Sequence, residues 1–172
     1  TRISFFMVGL PWFLLFIALP LAASGFALMV WVHRAHANLH AETLEGLNFA
    51  PGWAAASFVV PVAGLIVPFQ AMRELWNRSH GEPEHFARVS VDTVSSWWSC
   101  WVAGTLILFA LTLLTALDRL TPFVLMTPPG VNGLFLLLAL LLLAGSAWFL
   151  WRIVAAITLA QQSVTRVEGT FD

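Results

Sequence analysis

"FVVPVAGLIVPFQAMRELW", residues Phe58–Trp76, carries two prolines seven residues apart in an uncharged apolar run and then turns abruptly to charge at Arg73. Each proline removes a backbone donor and presses its ring on the carbonyl four residues back, so a helix in water holds both poorly. In a membrane such prolines are tolerated where neighbouring protein satisfies the freed carbonyls. The run reaches back to Phe49 and gives 24 uncharged residues up to Met72, more than the roughly 20 needed to cross a bilayer. Residues 50–72 are therefore predicted to cross as a helix broken by its prolines. A re-entrant segment, leaving three full spans, is the competing topology.

The rest of the chain supports a lipid environment. Of 172 residues, 59% are hydrophobic and 10% charged, against about 45–50% and about 25% in soluble domains. Three further apolar runs are long enough to span, at about residues 5–32, 95–117 and 131–159. The predicted fold is all-α, an integral membrane four-helix bundle forming a single transmembrane domain over 1–172. A net charge of −1 argues against a nucleic-acid partner. Cys100 is the single cysteine, which excludes an internal disulfide. The sequence opens on Thr1 where an initiator methionine would stand, so a preceding segment is expected.

All basic side chains are arginine, and their distribution predicts orientation. With four spans, Arg2, Arg73, Arg78, Arg88, Arg152 and Arg166 share one side and Arg34 and Arg119 the other. Positive charge is enriched in cytoplasmic loops, so both termini are expected there, in a bacterial inner membrane. Trp12, Trp76, Trp97, Trp98, Trp148 and Trp151 fall near that same boundary, as an aromatic belt would.

Four stretches in order carry a family resemblance: "WVHRAHANLH" from Trp31, "PGWAAASFVVPVAGLIVPFQAMRELW" from Pro51, "WWSCW" from Trp97 and "VAAITLAQQ" from Val154. Together they resemble the bacterial membrane family described as domain of unknown function 4328, over about Trp31–Gln162. The resemblance implies four membrane helices and brings no activity, substrate or cofactor. His33, His36 and His40 are not part of the pattern that carries it.

Several constellations invite chemistry. Ser57, Pro61, Gly64 and Pro68 recur at helical spacing and form a small-residue stripe, a surface that lets another backbone approach closely. Ala18, Ala22 and Gly25 make a matching stripe on the first helix, expected to be its partner. His33, His36 and His40 continue that face if the helix persists, and three imidazoles are candidate metal ligands, with Glu42 or Glu45 completing the set. Arg34 and Asn38, one turn apart, suit a lipid phosphate or the carbonyls near Pro51, or simply a snorkelling helix end. Trp97, Trp98 and Trp101 are expected interfacial anchors. Glu74 and Arg78 have the spacing of a helical ion pair.

The spans hold no acidic residue, and the chain shows no nucleophile–base arrangement, phosphate loop or paired carboxylates. The function expected is that of a non-catalytic multi-pass protein, an accessory or scaffolding subunit that packs against another membrane protein or larger membrane complex. The alternative is a metal-, lipid- or cofactor-binding membrane protein, conceivably an enzyme, that uses the histidine end of the first helix. The cofactor, if any, is unknown.

Overall fold

The computed structural model describes the backbone over residues 2–42, 46–60, 62–81, 91–120 and 130–168. Side chains are described for 16, 18–42 and the later segments up to 162, apart from 119. Pro61, the loop holding Arg88, Glu45, and the side chains of Arg2, Trp12, Arg119 and Arg166 lie outside this set.

Among the described residues, five α-helices follow one another: α1 Arg2–Ala41, α2 Pro51–Ala56, α3 Val67–Ser79, α4 Asp92–Leu120 and α5 Val131–Glu168. A 3-10 turn, Ala63–Leu65, lies between α2 and α3. No strand occurs among the described residues. Among the described residues, three helical stretches are long and apolar enough to cross a membrane: Ala18–Ala41 in α1, Asp92–Asp118 in α4 and Val131–Gln162 in α5. The chain is an all-helical protein with the helices of a multi-pass membrane protein.

The first helix runs to Ala41, so the three histidines ride on it. Residues 50–72 are not one helix. α2 ends at Ala56, turns occupy Ser57–Val60, and α3 begins only at Val67. Local chemistry explains both ends. Pro51 opens α2, where its missing donor costs nothing and its fixed φ already suits a helix. Pro68, the second residue of α3, likewise sits in a first turn whose N–H groups have no helical acceptor. Between them Val62 adopts φ 65° and ψ −54°, a region that a β-branched side chain rarely enters.

The chain divides into two compact units, residues 1–68 and 69–172. In the first, α1 packs with α2. The buried side chains of this unit are Val32, Ala35, His36 and Leu39 near the end of α1, Ala54 in α2, and Ser57 and Pro68. The Ala18–Ala22–Gly25 stripe is exposed instead, and a Cβ added at Gly25 would meet nothing within 4 Å. α2 has only six residues, too few to reach back along α1 to that level. Gly64 is crowded by its own segment: an added Cβ would stand 3.1 Å from the Ser57 carbonyl oxygen.

In the second unit α4 and α5 lie against each other. Here small residues do the work expected of the other stripe. A Cβ at Gly104 would fall 2.9 Å from Leu143 Cγ and 3.2 Å from the Ala139 carbonyl oxygen. One at Gly145 would face Cys100 Sγ at 3.9 Å. Helices in lipid gain little from apolar burial alone, so close backbone approach at such residues carries the association. Away from this seam, Leu106, Phe109, Leu134, Leu137, Leu140 and Leu141 are exposed. Hydroxyls inside the apolar helices bond back to the preceding turn, as Thr112 does to the Leu108 carbonyl at 2.8 Å and Thr115 to Leu111 at 2.7 Å.

Candidate functional site

The polar residues that the fold buries are concentrated on α3. Glu74 and Asn77 are wholly buried, and Arg78 and Ser79 nearly so. Each of Glu74, Asn77 and Arg78 interacts with neighbouring groups. The helix can carry such residues because its buried arc is wide: Pro68, Ala71, Met72 and Leu75 supply an apolar half, and Glu74, Asn77 and Arg78 the polar flank beside it. Gln161 of α5 reaches this end of α3, where its Nε2 donates to Ser79 Oγ at 3.2 Å. α3 then ends with the amides of His80 and Gly81 bonded to the Asn77 and Arg78 carbonyls, both at 3.1 Å, and Gly81 at φ 78°. Glycine takes that left-handed conformation at least cost.

Aromatic rings from α3 and α4 line the same unit. Phe69 stacks on Trp98 with centroids 6.1 Å apart, and Trp98 stacks on Trp101 at 5.0 Å. Trp97 tilts against Trp98 at 5.3 Å and is itself buried. Trp76 meets the His80 ring at 4.6 Å, and His80 Nδ1 donates to the Trp76 carbonyl at 2.7 Å.

The histidines at the end of α1 are spread over different environments. His36 is buried, whereas His33 and His40 are exposed. Two of them spend a ring nitrogen on their own helix: His36 Nδ1 donates to the Val32 carbonyl at 3.1 Å and His40 Nδ1 to the His36 carbonyl at 2.9 Å. Among the described residues no three His, Cys, Asp or Glu side chains are grouped so as to hold a metal ion. Arg34 and Asn38 are both exposed on α1. Of the other candidates, Ser57 is buried and its Oγ donates to the Ala54 carbonyl at 2.8 Å, which closes the end of α2.

An open groove of about 540 Å³ runs between α4 and α5, lined by Leu108, Leu111, Thr112, Thr115, Asn132 and Leu136. Its two threonine hydroxyls already donate to their own helix. What the groove offers is mainly hydrocarbon.

The α4–α5 seam binds its two helices together. A family model, Domain of unknown function (DUF4328), matches residues 6–159. The chain belongs to this family. No curated protein and no solved structure matches it. Two features within the family region carry only a faint sequence signal. The spacing of Glu74 and Arg78 marks an ion pair, and Asn77, at i+3 from Glu74, extends it to the polar flank of α3. The α4–α5 seam was signalled by "AGS" at Ala144–Ser146 interrupting a leucine run, and by Gly104.

Proposed function

We propose that the chain is a non-catalytic membrane subunit that packs against another integral membrane protein, in an accessory or scaffolding role. One observation carries this: the interrupted segment between α2 and α3 combines irregular backbone with exposed apolar side chains. Val59, Val62, Leu65 and Ile66 are 68%, 75%, 56% and 55% exposed. Non-helical backbone at membrane depth survives only against protein or a water-filled cavity, because lipid offers no hydrogen bonds. Four large apolar side chains favour protein over water as the covering. In this reading residues 50–72 form a fourth, broken crossing. Pro61 cannot donate to the Ser57 carbonyl, and the interruption is where the partner docks. The arginine distribution supports a reading in which both termini lie on the cytoplasmic side of a bacterial inner membrane.

The test is a photo-crosslinking residue at Val62, compared with one at Phe109, which is exposed on α4. In native membranes Val62 is expected to capture a discrete membrane protein, and Phe109 only lipid. Lipid adducts alone at both positions would count against a partner at this segment.

A further inference from the structure

Within the second unit, two tryptophans and one arginine on α5 stand apart from the seam and the α3 site. Trp148 and Trp151 are 57% and 61% exposed, with ring centroids 5.4 Å apart. Arg152 is exposed beside them and makes no hydrogen bond or ion pair among the described residues. Arg73 and Arg78, in contrast, are both engaged. At 100° per residue the three side chains share an arc of about 100°, with Trp148 in the middle.

Their depth follows from two independent lines. The hydrocarbon core is about 30 Å thick, or about 20 helical residues. Counted from Val131, where α5 begins, that distance ends near Trp151. The seam leads to the same level. Cys100 faces Gly145 and Gly104 faces Leu143, so antiparallel pairing sets Trp98 opposite Trp148. The stacked rings of α4 and the exposed pair on α5 thus form one belt, at the height where aromatic side chains meet headgroups. Arg152 emerges just beyond it.

We propose that Trp148, Trp151 and Arg152 form a binding site for an anionic phospholipid. The guanidinium donates to the lipid phosphate, a fork geometry that suits phosphate oxygens. The indole rings lie along the glycerol and upper acyl chains, and their N–H groups are free to donate at the headgroup level. Charge decides the occupant. Arg152 has no ion pair among the described residues; an exposed cation at this level is complemented by an anionic leaflet, and a zwitterionic headgroup meets it less well.

The full chain, purified in mild detergent and stripped of lipid, is titrated with phosphatidylglycerol and with phosphatidylcholine of the same acyl chains. Bound lipid is counted by native mass spectrometry. Arg152→Gln should weaken phosphatidylglycerol about fivefold, the effect of one arginine near an anionic surface, and leave phosphatidylcholine unchanged. Arg152→Lys should keep most of the preference, since a point charge still attracts the phosphate. Trp148→Ala with Trp151→Ala should weaken both lipids. The proposal is overturned if Arg152→Gln binds phosphatidylglycerol as the unaltered chain does, or loses both lipids equally. It is also overturned if a co-purifying protein is released by Arg152→Gln, which would make this face a protein contact.

Discussion

Gly104 has no room for even one more carbon. An added methyl would press on Leu143 Cγ and on the Ala139 carbonyl, and the carbonyl belongs to backbone that cannot swing aside. Overfilling a close contact of this kind costs about 1–3 kcal/mol. Gly104→Ala should therefore lower stability by that amount in a reversible detergent unfolding titration. Gly25→Ala, with nothing within 4 Å of the new methyl, should stay within about 0.5 kcal/mol or gain slightly from helix propensity. Equal effects at the two glycines would contradict the seam as the tight contact. Proline shows the same dependence on surroundings. Pro20 lies inside α1 without ending it, and its carbonyl accepts the Ser24 hydroxyl at 2.7 Å. The stretch around Pro61 leaves the helix altogether. Residue type alone did not distinguish these two cases.

α3 is the element whose character was least visible in advance. In sequence its first half belongs to the apolar run that ends at Met72 and its second half to the charged stretch from Arg73. It is one amphipathic helix of 13 residues, with Glu74 and Asn77 completely buried. Burying a carboxylate and an amide together with their partners makes each expensive to truncate, because the groups left behind lose both protein and water. Glu74→Ala is expected to destabilise the chain by about 3 kcal/mol and Asn77→Ala by about 1–3 kcal/mol. Gln70→Ala, at an exposed position of the same helix, should change it by no more than about 0.5 kcal/mol. These differences would be read from the same unfolding titration, and a uniform response along α3 would argue that the buried polar flank holds nothing.

For the whole molecule the open choice is between a crossing and a re-entrant second segment. It is settled by single cysteines at Ala41 and His80, both exposed at helix ends, in a Cys100→Ser background. A membrane-impermeant thiol reagent is expected to reach the two from opposite sides. Labelling of both from one side would remove the fourth crossing, and with it the placement of both termini in the cytoplasm.

Composition and run length determined by themselves that this chain is helical and built for lipid, because an apolar stretch of 20 or more residues has few other stable forms in a bilayer. Motifs spread over most of the chain gave the family. Only the tertiary structure decided which small residues meet. Ala18–Ala22–Gly25 and the Gly104–Ala139–Gly145 group look alike as patterns, yet one is exposed and the other forms the seam. The physical reason is that a small residue permits close approach without naming the helix that approaches. The same holds for the polar residues of α3 and for the three histidines. Their spacing on a helix was legible, but whether a face is buried depends on neighbours that lie far away in the chain.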